Sequence, residues 1–261
     1  MIVDLFAGPG GWSEGLRLLQ RAGARYSEVG IDNDEAVYLT RQAAGHQTLL
    51  ADVSALDPAP FAGAVGLIAS PPCQLYSAAG SRHGHAALDV LTAATGAVAA
   101  GDDVRTMARR DVAQIIAPRV AEDHPEWDVG TLPLDGLPTR ADAEADRLAG
   151  NAVQVLEPAR WIHALQPEWV ALEQVPGVLP LWEALAEALG PLGYQCATGI
   201  VDAADYGVPQ HRRRAVLLAA KGRPVELPAA THGPGRPRPW VTMAEALGWG
   251  FVDDAARTVC G

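Results

Sequence analysis

The strongest constraint on the fold is an alternation near the N-terminus between short β-forming runs and longer runs with helical periodicity. Met1–Phe6 reads as a buried strand that stops at Ala7-Gly8-Pro9-Gly10-Gly11, after which Leu16, Leu19 and Ala22 recur at helical spacing across Trp12–Ala22. A second strand is predicted over Ser27–Ile31, a helix over Glu35–Ala44, a third strand over Thr48–Ala51 and a fourth over Ala64–Ala69. After a long intervening stretch come strands at Trp169–Glu173, Tyr194–Val201 and Arg214–Ala220, with a helix over Leu181–Leu189. Strand, helix, strand in succession predicts βαβ units, and so an α/β fold with a seven-stranded, mostly parallel sheet and helices on both faces.

The segment from Gln74 to Pro167 is rich in Ala, Arg, Asp and Glu, and reads as helices with a loop at Trp127–Thr139. Residues 224–240 are rich in Pro and Gly and mark a linker. The expected division is therefore a main domain over 1–223, with a helical insertion at about 80–150, followed by a linker and further segment over 224–261. No run approaches a membrane span, the longest apolar stretch being Phe61–Ala69. The first residues carry no basic leader, and the three cysteines (Cys73, Cys196, Cys260) form no CxxC pair. These features predict a cytoplasmic protein with no membrane association and no structural metal.

A net charge of −11 argues against a general nucleic-acid binder, but it is unevenly spread. Residues 1–204 carry a net −14, whereas 205–261 carry +3. That basic segment is either a solvated face or an edge that meets phosphates, and charge alone does not separate the two.

Several segments hold residues suited to chemistry. A strand followed by a glycine-rich turn and a helix lets backbone approach a nucleotide-like ligand closely, although Phe6-Ala7-Gly8-Pro9-Gly10-Gly11 lacks GxGxxG spacing, and a tight structural turn explains it equally. Asp32 follows the second strand, where a carboxylate can hold ribose hydroxyls or simply cap the next helix. Asp52 follows the third and can face a base edge or cap a turn. Ser70-Pro71-Pro72-Cys73-Gln74 fixes a cysteine on a stiff turn at the end of the fourth strand, as a nucleophile or as a small buried hydrophobe. Glu173 ends the fifth strand, and the alternation of a strand would let Arg212 and Arg214 point to one side as the chain enters the last.

Taken in order, DLFAGPGG at 4–11, SPPCQ at 70–74, EQV at 173–175 and Gln210-x-Arg212-x-Arg214 resemble the motifs of the DNA (cytosine-5)-methyltransferases. The resemblance covers roughly residues 1–80 and 165–250. It implies a Rossmann-like fold that uses S-adenosylmethionine and releases S-adenosylhomocysteine. Phe6, Gly8, Gly11, Asp32, Asp52 and Pro72 would hold that cofactor, with Phe6 against the adenine, Asp32 on the ribose and Asp52 on the adenine amine. Cys73 would attack C6 of a flipped-out cytosine in double-stranded DNA, Glu173 would bind N3 and the exocyclic amine, Arg214 would hold the base and Arg212 help orient the site, with Gln210 positioning their strand. No metal is implied.

This sequence also departs from the family pattern. Gln174 stands where the family usually has Asn, and the stretch between Cys73 and Glu173 is longer than in compact members. The family continues with a target-recognition domain and two further motifs. Residues 224–261 are thus expected to be a linker and the start of a truncated recognition region, with a second polypeptide completing the enzyme. A non-catalytic subunit or remnant, or a transfer-RNA cytosine-5 methyltransferase, is the alternative. Gly150-Asn151-Ala152-Val153 resembles the family's last motif but precedes the fifth strand, and there it reads as a cap, with Asn151 as N-cap of a helix over Ala152–Leu165.

Overall fold

The computed structural model describes residues 1–72, 76, 87–128 and 138–248, together with the backbone of 256–257. Strands β1 (Ile2–Leu5), β2 (Glu28–Asp32), β3 (Thr48–Leu50), β4 (Gly66–Ala69), β5 (Trp169–Gln174), β6 (Tyr194–Asp202) and β8 (Arg213–Lys221) form one seven-stranded sheet in the order β3-β2-β1-β4-β5-β8-β6. The first five pair in parallel, while β8 runs antiparallel between β5 and β6. A two-residue strand β7 (Gln210–His211) pairs with β9 (Ala256–Arg257) apart from this sheet. All seven strands predicted from the sequence are present with boundaries shifted by no more than two residues.

The two faces of the sheet bury different partners, as the alternation of side chains along a strand requires. Val3, Leu5, Leu67, Ala69, Val170, Leu172, Ala215 and Leu217 face the larger core. Helices α3 (Leu88–Ala100), α6 (Glu157–Leu165) and α7 (Leu179–Leu189) bring Leu91, Val98, Trp161, Ile162, Trp182 and Leu185 to that core. Ile2, Ile68 and Ala171 face the other way and pack with Leu16 of α1 (Gly11–Arg21). Gly66 is fixed by that packing, since a Cβ there would run into the indole of its cross-strand neighbour Trp169.

The chain between β4 and β5 adds a helical hairpin, α4 (Arg105–Asp123) and α5 (Arg140–Ala152). Both helices bury one residue in four: Ala108, Val112, Ile116 and Val120 on α4, and Ala141, Ala145 and Ala149 on α5. Matching four-residue ridges with small side chains let two helices approach closely. α5 begins at a capping box in which Thr139 and Asp142 satisfy each other's backbone N–H groups.

Here the structure corrects the sequence reading. Asn151 is not a helix N-cap; it lies in the last turn of α5, because the buried alanine stripe continues through Ala152. A 3₁₀ turn over Val153–Leu156 follows, and α6 starts only at Glu157, with Pro158 in the first turn where a missing N–H costs nothing.

Candidate active site

The carboxyl ends of the five parallel strands share one edge, where open α/β sheets place their ligands. At the end of β1 the chain turns sharply: Phe6 has φ 54° and Gly8 φ 52°. That left-handed conformation suits Gly8 but strains Phe6 by roughly 1–3 kcal/mol, a cost that clusters at functional sites. The turn is held by Asp32 at the end of β2, whose Oδ2 accepts from the Gly8 N–H (2.9 Å) and whose Oδ1 accepts from the Asp34 N–H (3.0 Å). The cap of α2 (Glu35–Ala43) is Asp34, which accepts from Ala36 and Val37, so Asp32 is left to the edge. Gly11 opens α1, and the space where its Cβ would stand is empty.

A cleft of about 190 Å³ lies beside this turn, lined by Phe6, Asn33, Asp52, Val53, Pro72, Asn151 and Gln154. Asp52 is exposed, and its Oδ1 accepts from both the N–H and the hydroxyl of Ser54. Across the cleft stands Gln154, from the turn between α5 and α6, whose Oε1 is buried with no hydrogen-bond partner. An orphaned buried amide oxygen costs about 1–3 kcal/mol unless a donor reaches it. An aromatic wall, a carboxylate and an unpaired amide suit a flat heteroaromatic ring bearing an exocyclic amine. A larger polar hollow of about 260 Å³, lined among others by Arg17, Glu28 and His46, opens at the opposite edge, away from these residues.

The cleft walls are tied together from behind. Glu157 is buried and accepts from Arg105 Nη1 (2.6 Å) and Arg160 Nε (2.7 Å). Arg160 also donates to the carbonyls of Val53 (2.8 Å) and Leu56 (3.0 Å), joining α6 to the loop that carries Asp52. Arg105 in turn grips Asp103, and that contact holds the Asp103 carboxyl down at about 2.

Farther along the edge, Ser70-Pro71-Pro72 leaves β4. Ser70 Oγ accepts from the Trp12 indole (3.0 Å), and Gln174 donates from its amide nitrogen to the Pro71 carbonyl while its oxygen takes the Val175 N–H. The turn that leads into Cys73 is therefore clamped to the end of β5. Next to that clamp, Arg214 Nε meets Glu173 Oε1 at 2.7 Å, with both side chains partly exposed. Arg212 lies between β7 and β8 rather than within a strand, so alternation does not pair it with Arg214. It is exposed, and its backbone N–H donates to Asp202 Oδ1, while His211 Nδ1 approaches Asp202 Oδ2 at 2.9 Å.

The structure thus brings together Phe6, Asp52 and Pro72 around one cleft, ties Asp32 to Gly8, and pairs Glu173 with Arg214. Arg212 is not in that pair, and Cys73 lies outside the described residues. Among the described residues there is no cluster of three or more His, Cys, Asp or Glu side chains fit for a metal. Sequence reasoning missed Gln154, Glu157 and Arg160. A glutamine inside the apolar run Val153–Leu156 was the available signal for the first; the other two read as an ordinary polar helix face.

It missed a buried ionic group as well. Arg41 of α2 is fully buried and donates to Glu28 (3.0 Å) and to the Ala7 carbonyl, with Asp4 of β1 at 4.0 Å. Neither Asp4 oxygen has a hydrogen-bond partner, and burial raises its carboxyl well above the usual range despite the pull of Arg41.

The family model for C-5 cytosine-specific DNA methylase matches residues 1–89 and 147–234. Among curated proteins, the chain is 33% identical over 135 residues to the Type II methyltransferase M.BspRI of Lysinibacillus sphaericus, covering 47% of this chain and 32% of that protein. It is 32% identical over 105 residues to the Type II methylase M.HgiDII of Herpetosiphon aurantiacus, covering 38% of this chain and 29% of that one. The matched stretches thus span about a third of these relatives' length. Among solved structures, one assigned as a DNA modification methyltransferase encoded within an E. coli prophage covers 97% of this chain and 55% of that chain, with a TM-score of 0.54 and 20% identity, a likeness of fold.

Proposed function

Because the chain belongs to the C-5 cytosine-specific DNA methylase family, we propose that it methylates C5 of cytosine in double-stranded DNA, using S-adenosylmethionine, in the cytoplasm. Residues 1–223 form its catalytic unit in this reading. The observation that carries it is the Glu173–Arg214 pair at the sheet edge, beside the Pro71 turn that Gln174 clamps to the end of β5.

The cleft fits the cofactor: Phe6 and Pro72 offer walls for the adenine, Asp52 an acceptor for its amine, and the Asp32 carboxylate beside Gly8 a site for the ribose. When bound, the cofactor supplies an electrophilic methyl group. The target cytosine leaves the duplex stack to reach the edge. The Cys73 thiolate adds to C6, which breaks the ring's conjugation and leaves C5 electron-rich. Glu173 engages N3 and the exocyclic amine as charge builds there, and Arg214 fixes the carboxylate that does so. Arg212, exposed at the entrance to the last strand, orients the base. After methyl transfer, loss of the C5 proton allows the thiolate to leave and restores the aromatic ring.

The test is methyl transfer from labelled S-adenosylmethionine to mixed-sequence duplex DNA, together with covalent trapping by a duplex containing 5-fluorocytosine. Label recovered as 5-methylcytosine, and trapping lost in Cys73→Ala, are expected. Trapping that persists in Cys73→Ala would refute the assignment of the nucleophile, and label in transfer RNA alone would refute DNA as substrate.

A further inference from the structure

We propose that Gln154 reads the edge of the cofactor's adenine, and so is a specificity-determining residue of the cleft; this rests on the cofactor reading above. The observation is an amide oxygen that is buried without a hydrogen-bond partner, on a residue that lines the cleft. Gln154 Oε1 is buried, and no side-chain hydrogen bond is made to it, while its residue lines the cleft with Phe6, Asn33 and Asp52. By contrast, Asp52 already has one oxygen committed to Ser54.

A carboxamide presents one acceptor and one donor side by side, and adenine presents an amine donor next to a ring-nitrogen acceptor. The two edges are complementary, so one side chain can engage both. Asp52 offers acceptors only, and recognises the amine without sensing the ring nitrogen. Gln154 adds the missing half of the code.

The position is rigid enough to discriminate. Gln154 sits in a 3₁₀ turn between two buried residues, Val155 and Leu156, and the next residue, Glu157, is held by two arginines. One of these, Arg160, also grips the Val53 carbonyl on the opposite wall. The turn that carries Gln154 is therefore tied to the loop that carries Asp52.

The experiment is calorimetric binding by the full chain of S-adenosylhomocysteine and of its analogue whose purine lacks the 6-amino group. Three proteins are compared: the parent, Gln154→Leu and Asp52→Asn. In Gln154→Leu the affinity for S-adenosylhomocysteine falls about tenfold or more, the range of a bidentate base contact. The penalty for removing the amine, large in the parent, shrinks in Gln154→Leu, which loss of packing alone would not produce. Unchanged affinity in a folded Gln154→Leu, or an unchanged amine penalty, overturns the proposal while the cofactor reading stands. Absence of S-adenosylhomocysteine binding in the parent overturns both.

Discussion

The two ends of the functional edge are built in opposite ways. At the cleft, Asp32, Asp52, Glu157, Arg105 and Arg160 are bonded largely to backbone and to one another, and the walls are joined through a buried carboxylate. At the other end, Glu173 and Arg214 are held chiefly by each other and remain partly exposed. A ligand that arrives whole and leaves whole rewards a fixed mould. A base swung out of a helix and attacked, as proposed for this end, needs groups that can exchange partners as it enters. The difference teaches where this protein spends rigidity: on the side proposed for the cofactor.

Substitutions can break or sharpen that contrast. The largest effect is expected for Glu157→Ala, which leaves two arginines facing a buried void; loss of about 3–5 kcal/mol is expected in denaturant unfolding. A loss under about 1 kcal/mol would mean that the frame behind the cleft is no stiffer than the base end. Glu173→Gln should reverse the balance. Its methyl transfer rate falls about 10²–10³-fold, while stability shifts by less than about 1 kcal/mol because the ion pair is partly exposed. A large drop in stability there would erase the contrast.

Gln174→Ala tests the join between the two ends. It strips the Pro71 carbonyl and the Val175 N–H of their partner, at a cost of about 1–3 kcal/mol in unfolding. Trapping of a 5-fluorocytosine duplex should slow in step, since the turn into Cys73 loses its clamp.

The smallest effect concerns Asp4, behind the cleft. Its native carboxyl keeps its proton above the pH, about 4, at which the unfolded chain releases its own. The associated stability is fully present below that pH and is lost as pH rises through the raised native value, by up to about 1.4 kcal/mol per pH unit. Asp4→Asn should flatten that slope in unfolding curves taken across pH; a slope that survives would place its origin elsewhere.

Much of this was legible in the sequence. The strands could be read because parallel strands buried on both faces are short apolar runs ended by turn residues, as in Gly66–Ala69 before Ser70-Pro71. Phe6, Asp32, Asp52 and Glu173 could be placed at one edge because each follows or ends a strand. The path around Asn151 could not. A Gly-Asn pair is a common helix boundary, and only the distant capping box at Thr139 and the packing of Ala149 and Ala152 against α4 carry α5 past it. Arg41 and Glu157 escaped for a related reason: their windows read as solvated helix, and burial comes from partners far off in the chain. Asp4 was missed although it sits inside Ile-Val-Asp-Leu, a run that reads as a buried strand and so carries the signal of a buried carboxylate.

The antiparallel course of β8 has a kinetic consequence. β6 and β8 are joined by the short connection 203–212 and zip together along their whole length, so this hairpin forms from contacts close in sequence. β5 must instead find β4 across the helical segment 87–165, a slower search. Arg214 and Glu173 thus sit on pairings of different range: the guanidinium is carried by a ribbon whose strands are close in sequence, and its carboxylate partner by a strand whose parallel pairing spans the helical segment.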